Sequence, residues 1–477
     1  MRVSEFYKLG RSQPTLDFID VDIANDTRLF VDPRALRLLS SEWADECVFL
    51  IQNFFQVVLT AIRQGDDAKA RMLLQTLREP NETHLGLSRG KSKGRGLGKD
   101  SAYSVWESLS SSEAVKSGLL EDLEDTILMV PGISSDIISD ITTNIIRRPL
   151  IEYTQNMAAY YGIPLVPDIN SGILWNPMSK RWYSEYTRLP MTGFGKLLLV
   201  PKVIVRKRMD YDVGEYFEHY VLDHMRELEL TANSELVELL KNGKRRVTKK
   251  DLKEKYGTGK ETVVELTKRF PEIIDLYRKD KRGTSQPPMD HIDIALSEDT
   301  NPPDWDQLLT DLTSVPKGKK DATKYENVVE GLLTALFYPS LTNPHVQFEI
   351  HGGRKRIDIT YTNIARSGFF HWLGLHYSAP HVFVECKNYA GEVANPELDQ
   401  LAGRFSPSRG QVGILICRKF DDKELFVQRC IDTAKDSRGY IIPLDDQDLT
   451  QLVEELKKEW KAPQFASLKR KFDRLVM

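Results

Sequence analysis

The spacing of apolar and polar positions changes several times along this chain. Leu16-Asp17-Phe18-Ile19-Asp20-Val21-Asp22-Ile23 alternates, and Leu29-Phe30-Val31-Asp32-Pro33 follows, which predicts two short strands or a strand pair within 14–34. Helical spacing then takes over at 41–64, 67–78, 101–118 and 134–161. The glycine-rich basic stretch 86–99 interrupts those helices as a loop. Residues 163–206 return to strand-like composition with many prolines, and a helix is expected over 213–232. Residues 283–322 hold Pro287-Pro288, Pro302-Pro303 and Lys317-Gly318-Lys319-Lys320, so most of this part reads as linker, with one short helix at 304–313.

The C-terminal pattern is the most regular. A helix is expected at 322–338, strands at 346–351, 354–362 and 381–387, then helix 396–404, strand 411–417, helix 421–436, strand 439–442 and helix 446–460. Strands alternating with helices toward the end argue for an α/β sheet with partly parallel order. The chain is therefore expected to be multidomain, with a mixed α+β N-terminal half and a C-terminal α/β domain. Its expected parts are a recognition or sensor region over 1–234, a basic helical segment and linker over 235–315, and the sheet domain over 316–477.

Composition narrows this picture only slightly. The apolar fraction of 41% and charged fraction of 28% are those of a globular protein able to bury a large core without disulfides. A net charge of −3 gives no global basic field, so any nucleic-acid surface has to be local. One such place is Lys241 to Arg282, with 15 Lys/Arg against 7 Asp/Glu. Cys47, Cys386, Cys417 and Cys430 form neither a CxxC pair nor a zinc pattern, which fits a reducing, cytoplasmic location. The opening residues Met1 to Glu5 form no apolar signal region. The most apolar run, Cys47 to Ile62, is short for a membrane span and carries Gln52, Asn53 and Gln56, so it is expected to be a core helix.

The chemistry concentrates in Val384-Glu385-Cys386-Lys387-Asn388. On a strand Glu385 and Lys387 share one face, while Val382, Val384 and Cys386 share the other. Asp358, in Arg356-Ile357-Asp358-Ile359-Thr360-Tyr361, lies opposite the apolar side of its own strand. Two carboxylates and a strand carbonyl suit Mg²⁺, with Mn²⁺ as the alternative ion, and a neighbouring lysine can steady charge on a phosphoryl oxygen. On the helix before them, Glu326 falls at the margin of the stripe Tyr325, Val328, Val329, Leu332, Leu333 and Leu336, from which it can reach the sheet end. Glu330 falls about 40° further toward solvent and, like Gln400, reads as a surface residue. The same ExK pair also fits a solvated strand edge.

Helix with Glu326, strand with Asp358, then Glu385-Cys386-Lys387, resembles the PD-(D/E)xK, or restriction-endonuclease-like, nuclease superfamily over 320–460. The tail, with Leu398-Asp399-Gln400-Leu401, Val412-Gly413-Ile414-Leu415-Ile416 and Tyr440-Ile441-Ile442-Pro443-Leu444, resembles its Mrr-like branch. The resemblance implies a mixed sheet flanked by helices and metal-dependent phosphodiester cleavage. It implies Asp358, Glu385 and the Cys386 carbonyl as metal ligands, Lys387 as the catalytic lysine, and Glu326 as the helix acid. Ile357 stands where the motif name has proline, an aromatic insertion over 367–377 separates the two acids, and Arg404 stands where a tyrosine would complete one branch's glutamine motif.

The remaining signals are weaker. Residues 247–266 read as helix, tight turn, helix, the layout of a helix-turn-helix in which Lys249, Lys250 and Lys260 would meet phosphates; they also fit a lysine-coated hairpin with a solvated face. Lys91, Lys93 and Arg95 could contact a phosphate backbone from their loop, although the loop lacks Walker A spacing. Asp17, Asp20 and Asp22 suggest a second metal site but read better as a charged strand edge. No HExxH, dinucleotide fingerprint or fixed-period repeat is present. The expected function is thus a Mg²⁺-dependent nuclease acting on DNA, with RNA as the alternative, in restriction or anti-phage defence. It would be a homodimer if both strands are cut, with a protein partner recognised by the N-terminal half. The competing expectation is a non-catalytic nucleic-acid-binding or structural module on a degenerate nuclease fold.

Overall fold

The computed structural model describes residues 1–86, 99–283, 286–350, 355–389, 395–458 and 464–477. Its apolar residues gather into two large cores. One runs from Val3 to Ile294 and takes in Tyr338 and Ile364 from later in the chain, and the other runs from Leu312 to Leu475.

The first core is built around helix Glu42–Arg63, which Ser41 starts by accepting a hydrogen bond from the Ala44 amide. Cys47, Leu50, Ile51, Phe54, Val58 and Leu59 recur at helical spacing and are all buried. The helix is long and apolar enough to cross a membrane by length and composition, yet 56% of its most apolar window is buried within the protein. The pattern expected as one helix over 134–161 divides at Ile146 into Ser135–Ile145 and Arg147–Tyr161. Residues 163–206 form short two-stranded ladders, none longer than Val166–Asn170.

The acidic alternation over 14–34 does not make the expected strand pair. Only Phe30–Val31 is a strand, paired with Val205–Arg206. Leu16, Phe18 and Val21 are buried, and so are Asp17 and Asp20, so residues 16–21 have no solvent face; Asp22 alone of the three acids is partly exposed, where it pairs with the N-terminal ammonium. Asp17 accepts from the Tyr153 hydroxyl (2.7 Å) and from the amide of Asn343 (2.9 Å), and Asp20 accepts from the amide and hydroxyl of Ser4. These acids are buried hydrogen-bond acceptors, which corrects the reading of a charged strand edge.

The C-terminal core surrounds a five-stranded sheet. Helix α1 (Ala322–Phe337) precedes β1 (Leu341–Ile350) and β2 (Lys355–Asn363); α2 (Gly368–His376) leads to β3 (His381–Lys387). Then come α3 (Asn395–Ala402), β4 (Val412–Cys417), α4 (Lys423–Lys435), β5 (Tyr440–Asp445), α5 (Asp446–Lys458) and α6 (Ala466–Val476). The strands lie in chain order, antiparallel from β1 to β3 and parallel from β3 to β5. Parallel register sets Lys387 beside Cys417 and Cys417 beside Asp445, so three strands end at one edge. The aromatic insertion is α2, whose Phe369, Phe370 and Leu373 enter the core with Phe337, Phe465 and Phe472. It is apolar all round and carries no helical alternation, so the pattern of the sequence does not place it.

Within the expected linker over 283–322, residues 286–322 are not a free linker. Helix His291–Glu298 buries Ile294 and Ala295, the His291 imidazole meets the carbonyl of Ala335 at 2.9 Å, and Glu298 pairs with Arg2. Further on, Leu312 and Val315 are buried in the C-terminal core. Glu330, expected toward solvent, is 1% exposed and pairs with Arg11. Helix α1 is covered by the sheet on one side and by the turn Gln13–Thr15 on another, so the side away from the sheet is not solvent. Gly331 makes the close approach feasible, because a Cβ there would stand 2.6 Å from the Arg11 guanidinium.

Candidate functional site

Antiparallel pairing of β2 with β3 runs from Thr362–His381 to Ile359–Val384 and stops there, while β3 continues against β4 to Lys387. Asp358, Glu385, Cys386 and Lys387 occupy this end of the ladder. The Asp358 carboxylate accepts a 2.9 Å hydrogen bond from the Cys386 amide, which fixes that acid beside β3. Glu385 is fully buried. Its Oε1 accepts from the Lys387 ammonium at 2.7 Å, and its Oε2 accepts from the Arg404 guanidinium, which is itself buried. Buried carboxylates are costly unless paired, and two cations do that here.

Glu326, half-buried on α1, completes the group. Burial, then the negative charges of Asp358 and Glu385, push its carboxyl up to about 7. Burial and Asp358 also raise Glu385, against the pull of Lys387 and Arg404. Burial lowers the Lys387 ammonium, but Glu385 and then Asp358 more than offset it, so Lys387 holds its proton more tightly than usual. The Cys386 thiol, partly buried against the C-terminal core, is raised well above its ordinary value by burial, which leaves it protonated and inert. The site therefore holds three mutually repelling carboxyls and two cations.

A divalent metal fits this donor set in kind. Each carboxylate oxygen carries two lone pairs, so the contacts to Lys387 and Arg404 do not exhaust Glu385. Formally, three carboxylates, Lys387 and Arg404 leave one negative charge; a dication and a phosphodiester together bring the site to neutrality. Among the described residues no three His, Cys, Asp or Glu side chains form a ready metal cluster. A ligand set of Asp358, Glu385 and the Cys386 carbonyl does not need three side chains.

Residues 8–212 match the family model of a domain of unknown function, DUF8370. The match lies in the N-terminal half and leaves the C-terminal sheet outside. No curated protein matches the chain. No solved structure matches it.

The basic residues beyond that match fare differently from one another. Lys249–Tyr256 and Lys260–Arg269 are two helices joined through Gly257 and Gly259, both at positive φ, so the helix-turn-helix layout is present. Lys260 nevertheless donates to the carbonyls of Val130 (2.8 Å) and Ile133 (3.0 Å), and burial lowers its pKa to about 8. Lys249 donates to the Glu218 carbonyl at 2.6 Å. Their expected phosphate contacts are corrected to internal bonds. Lys250 is exposed beside Glu254, and the exposed positions of the second helix include Glu261 and Glu265, which would repel a phosphate backbone. Lys91, Lys93 and Arg95 lie outside the described residues.

Sequence reasoning missed Arg404 as a site residue. It follows α3 directly, but neither motif nor spacing links it to Glu385. It also missed Asn388, buried beside the site, and Arg418, which pairs with Asp446 at 3.2 Å. Asp446 in turn accepts from the Tyr325 hydroxyl, one residue before Glu326, at 2.8 Å.

Proposed function

We propose that this chain is a metal-dependent nuclease whose C-terminal domain has the restriction-endonuclease-like arrangement, with DNA as the first substrate to test and RNA as the alternative. One observation carries the reading. Glu326, Asp358 and Glu385 come from a helix and two strands, yet they converge with Lys387 where an antiparallel ladder ends, and burial together with the neighbouring carboxylates raises the proton affinity of Glu326 and Glu385. Open α/β sheets place ligands outside the carboxyl ends of their parallel strands, which is where this cluster lies.

Asp358, Glu385 and the Cys386 carbonyl would hold Mg²⁺ or Mn²⁺, which supplies an activated water and offsets phosphoryl charge when bound. Lys387 keeps its proton and presents a fixed positive charge to a phosphoryl oxygen. The Cys386 amide orients Asp358, and Arg404 orients Glu385. Glu326, titrating at about 7, can accept or release a proton near neutral pH. The role in restriction or anti-phage defence rests on the resemblance to restriction-type nucleases alone, and equal phage protection by wild type and Lys387→Ala would remove it.

A second reading has one observation in its favour. Both oxygens of Glu385 are held by cations of the protein itself, as in a degenerate nuclease fold that binds nucleic acid without cutting it. A panel of linear, circular and single-stranded DNA and of RNA, each with Mg²⁺ and with EDTA, separates the two. Mg²⁺-dependent cleavage that Asp358→Ala abolishes supports the nuclease. Wild type and Asp358→Ala that bind equally and are equally inert support the binding module.

A further inference from the structure

The basic segment Lys317-Gly318-Lys319-Lys320 is held against the candidate site at several points. Asn388, the residue after Lys387, donates from its side-chain amide to the carbonyls of Pro316 (2.9 Å) and Gly318 (3.0 Å). The Gly318 amide returns a 2.8 Å hydrogen bond to the Asn388 carbonyl. Upstream, Arg418 at the end of β4 donates to the carbonyls of Leu312 (2.7 Å) and Thr313 (3.3 Å), while Leu312 and Val315 are buried in the C-terminal core. Residues 312–318 are thus a strap tied across the carboxyl ends of β3 and β4. Gly318, at φ +124°, allows the bend between its lysines.

The side chains this strap presents are exposed cations. Lys317, Lys319, Lys320 and Lys324 are all exposed, with Asp321 the single acid among residues 316–324. This contrasts with Lys249 and Lys260, whose ammonium groups are consumed by backbone carbonyls. An ammonium is a compact point charge that meets a phosphate in many orientations, so a rigid backbone carrying three of them favours a polyanion without fixing its sequence. Phosphates recur about every 3.4 Å of rise along one strand, so a strand whose reacting phosphate meets Lys387 carries its neighbours past the strap.

We propose that the strap formed by Pro316 to Lys320 is a phosphate-backbone grip that seats a nucleic-acid strand at the Lys387 end of the sheet. This rests on the nuclease reading for its substrate class, but it concerns binding and can be measured apart from cleavage. The grip is sequence-independent, and it is contributed by the segment between the two cores.

The test uses the full chain carrying Lys387→Ala, to suppress cleavage, with and without Lys317→Ala/Lys319→Ala/Lys320→Ala. Lys250→Ala is the control for an exposed lysine elsewhere. Thermal unfolding first establishes that each variant is folded. Affinity for a labelled 30-nucleotide DNA duplex, its single strand and the RNA equivalent is then measured from about 50 to 200 mM salt. The triple variant is expected to lose at least about tenfold in affinity and about 2–3 in the slope of log K against log salt, while Lys250→Ala changes neither. Unchanged affinity and slope in the folded triple variant overturn the grip, and so does absence of binding by the parent protein. If the parent binds through the strap but wild type cuts nothing, the grip stands and the nuclease reading falls. If wild type cuts, and the three lysine substitutions change neither binding in the Lys387→Ala background nor cleavage in the wild-type background, the nuclease reading stands and the grip falls.

Discussion

Glu326 and Glu330 lie one turn apart on α1, and the two places they occupy differ in kind. Glu330 meets Arg11, accepts from the Thr334 hydroxyl at 2.8 Å and is buried. That is an acid matched by a cation from the other core. Glu326 lies near Asp358 and Glu385 and makes no ion pair of its own among the described residues, and burial and those two acids raise its carboxyl to about 7. A structural ion pair closes its charge account locally, whereas a site built for a ligand leaves one open. The difference is invisible in the helix pattern and depends on what packs against each side.

The comparison can be broken at either end. The largest expected effect is at the open cluster: Lys387→Ala should lower phosphodiester cleavage by at least about 10²-fold, the usual cost of removing one preorganised stabiliser of transition-state charge. Its stability loss should be smaller than that of Arg11→Ala, because Arg404 still pairs Glu385 when Lys387 is removed. At the closed pair the pattern should invert. Arg11→Ala strands Glu330 and should cost about 3 kcal/mol of stability, read from urea unfolding at pH 7. Cleavage per folded molecule should remain near the wild-type level. A loss of activity without a loss of stability in Arg11→Ala would erase the distinction.

A smaller effect sharpens it. The folded protein binds the Glu326 proton more tightly than the unfolded chain, whose glutamate titrates near 4.5. The protonated carboxyl therefore adds stability that is fully present below pH 4.5 and is lost as pH rises through about 7. In EDTA, wild type compared with Glu326→Gln should lose about 1–2 kcal/mol over that range, a figure reduced for the partial exposure of the group. A flat difference between the two proteins would show that burial and the neighbouring acids do not raise Glu326. The smallest effect belongs to the helix pair. Lys260→Met should cost about 1–2 kcal/mol through the unbonded carbonyls of Val130 and Ile133, with no change in nucleic-acid affinity.

How much of this was legible in the sequence follows from periodicity. β3 occupies the expected 381–387, and α1 and the helices near 42 and 305 start and end within two residues of expectation. Their apolar positions repeat at a single period, and the helices near 42 and 305 begin at side-chain caps, Ser41 and Asp304. α6 was missed, although Leu468, Phe472 and Leu475 sit at helical spacing and are buried. Within the site, Asp358, Glu385 and Lys387 announce themselves as charges on apolar strands. Arg404 and Asn388 do not, because their roles depend on which loop returns to the strand end. The same holds for residues 312–320, whose proline, glycine and lysine content reads as linker until Asn388 and Arg418 are seen to hold them.

The central claim is that the carboxyl cluster at the end of β2 and β3 is a metal-dependent cutting site. Its most direct test is single-turnover cleavage of a labelled DNA duplex and its RNA equivalent by wild type and Asp358→Ala, over a Mg²⁺ titration with an EDTA blank. Cleavage by wild type that saturates with Mg²⁺, vanishes in EDTA and falls at least about 10²-fold in a folded Asp358→Ala is the predicted result. Cleavage that persists in EDTA, or that Asp358→Ala leaves intact, would contradict it, as would a wild type inert on both substrates.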